Sequence, residues 1–353
     1  MIWLPFKKSG KNLLGIDIGT SAIKIVETSG RLERPKLENY GSMSAQEISG
    51  KPFRSLEKNS LLLSSFDISQ AIKAILEEAK VSTKRVAFSI PDFSSFFTNI
   101  ELPPMAEDEI SKAVNFEARR HIPIPPSEAV MDWMIIEGKP FGKKRTKIKV
   151  LLVAVPREVI NQYQEIAKLT GLELQSLEAE VFALKRALIR EEQGLIALID
   201  IGAQSTTISL IDKGILKLSH SFDFASNQLT GSVAQSLNID FQKAEDLKNK
   251  EGLKPKNIAD ILFPSLDSIL AEIKKTVQNF SQTEGQEPGL YILAGGAALL
   301  PGLKEYFQSS LNKKVIIADP FADMVYSSVL DPILKEMGPA FAIAVGLSLR
   351  GLK

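Results

Sequence analysis

A short sequence pattern near the start of the chain returns in its second half. Residues 13–19 read Leu-Leu-Gly-Ile-Asp-Ile-Gly, and residues 195–202 read Leu-Ile-Ala-Leu-Ile-Asp-Ile-Gly. Each is an apolar run of strand length that ends in Asp and turns at Gly, and a second strand pattern follows, at 23–27 and at 207–211. Because the repeated unit is far longer than a solenoid repeat, the duplication predicts two related α/β halves that face each other across a cleft.

The composition limits the classes of protein to which the chain can belong. Its 353 residues exceed one typical domain, and 44% hydrophobic with 24% charged residues predict a soluble globule. Lysine and arginine number 43 against 42 acidic residues, so no overall field attracts nucleic acid. The chain has no cysteine and two histidines, which excludes a disulfide framework, a thiolate metal site and a cysteine nucleophile, and favours a reducing cytoplasm.

No stretch of the sequence predicts a signal peptide or a membrane span. The longest apolar runs, such as 150–155, have strand length, far below the roughly 20 residues that cross a bilayer. At the N-terminus, Trp3, Leu4 and Phe6 precede two lysines, which is the reverse of a signal peptide. This leader could touch a lipid surface, but a mobile segment is the simpler interpretation.

The two Asp-Gly turns are the strongest candidates for a binding site. A strand that ends in Asp and turns through Gly and hydroxyl residues offers N–H groups and hydroxyls to a phosphate, while the carboxylate can hold hydrated Mg²⁺. One such turn is more often an ordinary hairpin, but two that face each other can clamp a polyphosphate. The predicted phosphate-binding residues are Gly19, Thr20 and Ser21 in the first turn, and Gly202, Ala203, Gln204, Ser205 and Thr206 in the second. Asp17 and Asp200 are the predicted magnesium residues, which act through the water shell of the ion.

A third glycine-containing segment follows a strand pattern late in the chain. Residues 293–302 read Leu-Ala-Gly-Gly-Ala-Ala-Leu-Leu-Pro-Gly. Two glycines at the end of a buried strand let the backbone approach a flat ligand, although a plain strand-to-helix turn has the same appearance. With the two Asp turns in place, Gly295, Gly296 and Ala297 are predicted to form the adenine or ribose edge of a nucleotide pocket.

Together the three segments resemble the two phosphate motifs and the adenosine motif of the actin-like ATPase superfamily, in the same order over almost the whole chain. The resemblance implies an α/β, actin-like two-lobed fold made of duplicated ribonuclease-H-like domains, with ATP and Mg²⁺ as ligands. Residues 178–188 and 338–347 resemble the two helices that connect the lobes.

The same resemblance implies roles for three further side chains. A helical segment with Glu245 and Lys248 resembles the helix whose Glu and Lys meet the ribose and adenine. Glu180 lies in a stretch similar to Glu-Pro-x-Ala-Ala, which implies that it orients the attacking water, with Val181 and Leu184 in place of the usual Pro and Ala. Weak ATPase activity is therefore the most that is expected. For all three side chains, the alternative interpretation is a solvated helix face.

Within the superfamily, the region 96–155 resembles the inserted subdomain of the PilM family of type IV pilus assembly proteins, which are relatives of the division protein FtsA. The resemblance rests on Ile-Glu-Leu-Pro-Pro-Met at 100–105, on Ile-Pro-Ile-Pro at 122–125, and on Lys24 in the strand after the first turn. Lys24 is also a predicted nucleotide-binding residue. The implied domains are lobe 1 at 1–95, 156–193 and 338–353, an FtsA-type insert at 96–155, and lobe 2 at 194–337.

The PilM resemblance implies a cytoplasmic ATP-binding scaffold that grips the N-terminal cytoplasmic tail of the membrane protein PilN, in a groove between the insert and lobe 1. Other pilus assembly proteins and a second copy of the chain are further expected partners. Because the sequence ends without the amphipathic membrane helix of FtsA, the scaffold is expected to reach the inner membrane through its partner.

Four side chains are candidate walls of the partner groove, because an extended peptide can lay alternate side chains into an apolar groove. These are Phe93, Phe96, Phe97 and Ile100, and a plain core role is the alternative for each. Three other functions stay open at this point. They are a small-molecule kinase, for which no catalytic Asp is evident, a filament-forming actin homologue, and the cytoplasmic part of a type II secretion protein, which would continue into a membrane helix.

Overall fold

The computed structural model describes residues 12–48, 52–55, 60–61, 63–138, 147–189, 194–254 and 258–352. The leader with Trp3, Leu4 and Phe6 lies outside the described residues. The strands are β1 (Leu13–Ile18), β2 (Ala22–Arg31), β3 (Arg34–Ser44), β4 (Arg54–Ser55), β5 (Ser60–Leu61), β6 (Arg85–Ile90), β7 (Phe96–Leu102), β8 (Ala129–Glu137), β9 (Ile148–Pro156), β10 (Glu173–Ala179), β11 (Ile196–Ile201), β12 (Thr206–Asp212), β13 (Ile215–Phe222), β14 (Leu290–Ala294) and β15 (Lys314–Ile317). The helices are α1 (Ala45–Ile48), α2 (Ser65–Glu78), α3 (Glu107–His121), α4 (Arg157–Thr170), α5 (Glu180–Leu188), α6 (Ser226–Leu237), α7 (Phe241–Glu251), α8 (Ala259–Glu284), α9 (Leu303–Leu311) and α10 (Asp331–Leu349).

Two five-stranded sheets share one topology. The first has the order β10-β6-β1-β2-β3, and the second has the order β15-β14-β11-β12-β13. In each sheet the central strand is the one that carries the repeated Asp. It begins an antiparallel three-stranded meander on one side and pairs with a parallel strand on the other. The sequence repeat is therefore a structural duplication, as predicted.

The two sheets are joined by a continuous apolar core. The largest buried cluster extends from Ile16 and Phe88 in the first sheet to Leu198 and Ile292 in the second. Apolar runs such as β1 are buried along their whole length, which is typical of strands in the centre of a sheet that is covered on both faces. The ends of β1 and β11, where the two Asp turns begin, are thus held within one packed body.

Helices α5 and α10 cross in very close contact. A Cβ on Gly346 of α10 would lie 1.9 Å from the carbonyl oxygen of Ala183 in α5, and a Cβ on Gly15 of β1 would lie 2.1 Å from the carbonyl oxygen of Ala344. Only glycine permits these backbone approaches. Helix α10 also accepts a hydrogen bond from the Gly295 N–H at its Pro339 carbonyl, at 3.0 Å. One helix therefore contacts both sheets, as the resemblance to connecting helices implies.

Helix α10 is longer than the sequence reading suggested. It begins at Asp331 and not at Gly338. With the turn before it, the stretch Ser328–Leu349 is long and apolar enough to cross a membrane by length and composition, which corrects the expectation that apolar runs reach only strand length. Since 67% of its 18-residue apolar window is buried inside the protein, the apolar character of this stretch is accounted for by core packing.

The segment between β6 and α4 forms a small layer of its own, which we call the insert (residues 96–156). Its three antiparallel strands have the order β7-β9-β8, and α3 packs against them. The core between sheet and helix includes Ile100, Ile110, Val114 and Leu152. The predicted order of strand, helix and two strands is confirmed.

Candidate functional site

The two repeated turns have the same backbone geometry. In the first, the Gly19 N–H donates to the Ala22 carbonyl at 2.9 Å, and in the second the Gly202 N–H donates to the Ser205 carbonyl at 2.9 Å. A Cβ on Gly19 or Gly202 would lie 2.9 or 3.0 Å from the carbonyl oxygen that its own N–H reaches. Each turn is therefore too tight for a side chain at this position.

Neighbouring segments hold the carbonyl groups of both turns. The Thr20 and Ser21 carbonyls accept from the N–H groups of Phe53 and Ala45, at 2.9 and 2.8 Å. In the second turn, the first two N–H groups of α6 donate to the turn carbonyls at 3.1 and 2.9 Å. Within the two turns, the N–H groups of Thr20, Ser21, Ala203 and Gln204 form no backbone hydrogen bond to another described residue. Both turns thus keep free donors, which is what anion binding by a backbone turn requires.

The side chains of the second turn differ in what they can offer. Thr206 is buried at the start of β12, and its hydroxyl donates to the Phe224 carbonyl at 2.6 Å. Its hydroxyl proton is therefore already used inside the protein. Gln204 and Ser205 are half-buried, and neither side chain has a hydrogen-bond partner among the residues that the structure describes.

Asp17 ends β1 and is the more enclosed of the two repeated carboxylates, with 3% of the residue exposed. Its Oδ1 accepts from the Ser89 hydroxyl at 2.7 Å. The Arg54 guanidinium lies 3.7 Å from Oδ1, and the Lys24 ammonium lies 4.0 Å from Oδ2. Lys24 is the cross-strand partner of Asp17, so the structure brings these two predicted site residues together beside the first turn.

Asp200 ends β11 without such partners. Its carboxylate forms no hydrogen bond within the described parts of the chain, and Gly295 at the end of β14 lies directly beside it. A Cβ on Gly295 would lie 2.5 Å from Oδ1 of Asp200 and 2.4 Å from the Ile201 carbonyl oxygen, and Gly295 has a φ of +87°. Burial raises the pKa of the Asp200 carboxyl to about 6, with Asp17 adding to the shift and Lys24 opposing it. The structure thus places an unpartnered carboxylate in an acidic cleft.

Glu180 is the first residue of α5 and faces the same cleft, with its side chain 13% exposed. Its Oε2 accepts from the Asp92 N–H at 3.1 Å, and the Asp92 carboxylate accepts from the Val181 N–H at 3.3 Å. Burial raises the pKa of Glu180 to about 7, although the Arg54 charge opposes the shift. Burial, together with the Glu180 charge, also raises the pKa of Asp92. Glu180 is therefore mostly enclosed by other residues, and a solvated helix face is the wrong interpretation for it.

Arg54 is a member of the site that sequence reasoning missed. Only 3% of the residue is exposed, and its Nη2 lies 3.4 Å from Oε1 of Glu180. The guanidinium also lies 5.9 Å from the centre of the Phe93 ring. The neighbouring Phe53 N–H ties this segment to the first turn through the Thr20 carbonyl. Nothing in the local sequence distinguishes this arginine from a surface one, because its partners are distant along the chain.

The charges of the site favour a bound cation. The carboxyl groups are those of Asp17, Asp92, Glu180 and Asp200, and the cations are Lys24 and Arg54. Burial is the main cause of the raised pKa of Asp200, and the Asp17 charge adds to it. Among the described residues, no three His, Cys, Asp or Glu side chains are grouped to hold a metal ion together. The donor set therefore fits Mg²⁺ held through its water shell, and does not fit a cage of carboxylates.

Three predicted residues follow β14: Gly295 and Gly296 contribute only backbone, and Ala297 packs in the core. Gly295 is the residue whose missing side chain lets β14 approach Asp200. Gly296 is exposed, with open space around the position of a Cβ. Ala297 is 6% exposed and belongs to the apolar core of the second half, so its side chain contributes packing.

Glu245 and Lys248 form a buried polar network with α6. Lys248 is 1% exposed, and its ammonium donates to the Ser226 and Thr230 hydroxyls at 2.6 and 2.9 Å and to the Glu245 carboxylate at 2.6 Å. Glu245 also accepts from Thr230 and, at 3.2 Å, from Asn249. Burial alone would raise the pKa of Glu245, but the Lys248 charge and these hydrogen bonds lower it. All three protons of Lys248 are used, so a solvated face is the wrong interpretation for Lys248 as well.

The four candidate partner residues differ in exposure. Ile100 is 2% exposed and lies in the core of the insert, so it cannot form the wall of an open groove, and the core interpretation is correct for it. Phe96 is half-buried against the same core. Phe97 stacks near Phe182 of α5, with ring centres 6.3 Å apart, and Phe93 lies against Arg54. Three of the four residues thus remain available at the surface.

Phe97 lines a groove of about 460 Å³, which lies between the insert and the second half of the molecule. The opposite wall is formed by β13, at Leu216 and Leu218, and by α8, at Thr276. The Asn99 side chain crosses the groove floor and donates to the Lys217 carbonyl at 3.0 Å. This groove is on a different side of the insert from the one predicted between the insert and lobe 1.

Comparison with known proteins identifies the family. The chain matches the family model described as type IV pilus assembly protein PilM over residues 15–352. The chain belongs to this family. It is also similar to the cell division protein FtsA of Bacillus subtilis, with 21% identity over 372 residues that cover 90% of this chain and 80% of the relative. The FtsA of Pseudomonas aeruginosa is 21% identical over 391 residues, which cover 98% of this chain and 90% of that relative.

One solved structure supports the same family, and two others share the fold alone. A PilM-PilN type IV pilus biogenesis complex contains a chain that is 26% identical, with 98% of this chain and 100% of that chain covered and a TM-score of 0.86. The ethanolamine utilization protein EutJ of Carboxydothermus hydrogenoformans is 20% identical, with 98% of this chain and 92% of that chain covered and a TM-score of 0.60. MreB5 of Spiroplasma citri bound to ADP is 14% identical, with 96% of this chain and 95% of that chain covered and a TM-score of 0.57. The predicted actin-like two-lobed α/β fold and the predicted PilM family are confirmed.

Proposed function

We propose that this PilM-family protein binds ATP with Mg²⁺ between its two sheets and serves as a nucleotide-dependent scaffold for a PilN-type partner. The observation that carries the nucleotide part is the pair of facing turns. Each has the same glycine-closed geometry and free N–H groups, and each follows a strand that ends in Asp. This pair is the only duplicated anion-binding geometry among the residues that the structure describes.

The proposed roles follow from the contacts of each residue. The free N–H groups of the two turns bind the phosphates, and Lys24 adds a positive charge beside the first turn. Asp17 and Asp200 accept hydrogen bonds from the water shell of Mg²⁺, which balances the acidic excess of the cleft. Gly295 keeps β14 close to Asp200, and the exposed Gly296 next to it leaves room for the ribose or adenine side of the ligand. Glu245 and Lys248 support this edge by fixing α7 against α6.

Hydrolysis is expected to be slow. Glu180 is the residue placed to orient a water molecule, but the Asp92 N–H and the Arg54 guanidinium already occupy its carboxylate. Burial raises the pKa of Glu180 to about 7, which favours its protonated form near neutral pH. A water-orienting carboxylate must be ionised and free to accept a hydrogen bond. The site is therefore better suited to holding ATP than to turning it over.

The partner part of the proposal draws on the similar structure of a PilM-PilN complex. Two half-buried aromatic residues, Phe96 and Phe97, lie at the start of the insert, and a third, Phe93, lies just before it. Phe93 contacts Arg54, and Phe97 contacts Phe182 of α5. An extended cytoplasmic tail can fit apolar side chains against such rings. Binding of a membrane-anchored tail would hold the protein at the inner membrane.

The experiment is a fluorescence titration of a labelled N-terminal PilN peptide with the full chain, with and without ATP and Mg²⁺. Saturable binding is expected, and F97A is expected to weaken it because it removes a half-buried ring from the start of the insert. The control is F241A, which removes a Phe that is 49% exposed on α7, away from the insert. Absence of peptide binding, or equal weakening by both substitutions, would contradict the partner assignment.

A further inference from the structure

Arg54 is a buried arginine with long contacts to two carboxylates and an Nε that has no hydrogen-bond partner in the described chain. Its Nη2 lies 3.7 Å from Oδ1 of Asp17 and 3.4 Å from Oε1 of Glu180, and its Nε is buried without a hydrogen-bond partner in the described chain. A buried donor without a partner costs free energy, so this position needs an explanation.

A second arginine of the same protein shows what a purely structural ion pair looks like here. Arg186 binds Glu178 with two short contacts, at 2.6 and 2.9 Å, and donates to the Gly346 carbonyl at 2.7 Å. That fork-to-fork geometry is the strong form of an arginine-carboxylate pair. Arg54 has loose contacts to two carboxylates, which leaves its hydrogen-bonding capacity largely unused.

The two carboxylates that flank Arg54 indicate which ligand would accept hydrogen bonds from its unused N–H groups. Asp17 belongs to the first phosphate turn, and Glu180 is the candidate for orienting the attacking water. The phosphate that a water attacks is the terminal one. On the proposed role of Glu180, the space beside it would hold the terminal phosphate of a nucleoside triphosphate, which a diphosphate lacks.

We propose that Arg54 binds the terminal phosphate and makes the site prefer nucleoside triphosphates to diphosphates. This inference rests on the proposed nucleotide function. The planar guanidinium presents two parallel N–H groups to phosphate oxygens, and its burial strengthens the contact. The Phe93 ring, with its centre 5.9 Å from the guanidinium, restricts the side chain to the cleft. Phosphate binding would exchange the long contacts to Asp17 and Glu180 for short ones.

The test is calorimetric titration of the full chain with ATP and with ADP, each with Mg²⁺, for wild type, R54Q and the control R186Q. R54Q is expected to bind ATP about tenfold or more weakly, because it loses hydrogen bonds to a charged group, while its ADP affinity stays at the wild-type value. R186Q breaks a buried ion pair outside the turns, so it is expected to lower the melting temperature and leave the ratio of the two affinities unchanged.

Equal losses for ATP and ADP in R54Q, or no loss for either, would overturn the assignment of Arg54 and leave the proposed function intact. A wild-type protein that binds neither nucleotide would refute both. If R54Q does not fold, R54K replaces it. Lysine keeps the charge but loses the two-pronged fork, so the preference for ATP is expected to fall by about threefold or more, and an unchanged preference would also overturn the proposal.

Discussion

Substitution D200N is expected to stabilise the ligand-free protein, although Asp200 belongs to the binding site. The pKa of the Asp200 carboxyl is raised from 3.8 to about 6 in the folded state, chiefly by burial and by the nearby Asp17 carboxylate. A raised pKa means that the folded protein holds a proton that the unfolded chain has released. Ionised Asp200 therefore opposes folding, and the neutral amide of Asn removes this cost.

The size of the effect follows from linkage. A carboxyl pKa that rises from 3.8 to about 6 corresponds to roughly 3 kcal/mol of unfolding free energy. Because Asp200 is only half-buried and water screens part of the interaction, we expect about 1 to 2 kcal/mol. The increase in unfolding free energy caused by D200N is absent below pH 3.8, grows as the pH rises toward 6, and is constant above pH 6.

The assay is urea unfolding of wild type and D200N without nucleotide and with a chelator, at pH 5 and pH 8. The control is D240N at the N-cap of α7, where the Lys243 N–H lowers the pKa of Asp240, so this substitution is expected to destabilise at pH 8. A D200N protein that is less stable than wild type at pH 8, or that shows the same gain at every pH, would refute the reasoning.

Three further predictions concern the contact between α5 and α10, the polar network of Lys248, and the rate of hydrolysis. G346A should lower the unfolding free energy, measured by urea denaturation, by about 3 kcal/mol or more, since its Cβ would lie 1.9 Å from the Ala183 carbonyl oxygen. The control G231A, in open space on α6, should raise the unfolding free energy by about 0.5 to 1 kcal/mol, and equal effects of the two substitutions would contradict the described packing. K248M should cost about 1 to 3 kcal/mol, because it leaves the partly exposed Glu245 carboxylate without its cation, and a change near zero by the same assay would show that the network is not structural. Phosphate release should stay below about one turnover per second, and faster release would show that Glu180 is a competent catalytic residue.

Local chemistry made the turns predictable. Strand patterns that end in Asp, followed at once by Gly and hydroxyl residues, contain all the information needed for a tight hairpin, and the repeat located the second one. In the structure, Gly19 and Gly202 each begin a turn with the same hydrogen-bond pattern. The same repeat predicted two related α/β halves, whereas the actin-like fold class followed from the family resemblance of the three glycine-containing segments.

Long-range contacts made other features unpredictable. Arg54 and Glu180 are 126 residues apart along the chain, and no periodic pattern relates them. The start of α5 was expected at Glu178, but β10 continues to Ala179, and the first helical N–H groups include that of Val181, which Asp92 satisfies from 89 residues away. Lys248 has charged neighbours that suggest an exposed helix face, yet hydroxyls of α6 enclose its ammonium. In each case the deciding partner belongs to another element.

The most direct test of the account is calorimetric titration of the full chain with ATP, with and without Mg²⁺, for wild type and D200N. If the two turns and their Asp residues form one nucleotide site, wild type binds ATP more tightly with Mg²⁺ than without it, and D200N loses this difference. Wild-type affinity that does not depend on Mg²⁺, or a D200N protein with the same dependence as wild type, would contradict a nucleotide site between the two sheets.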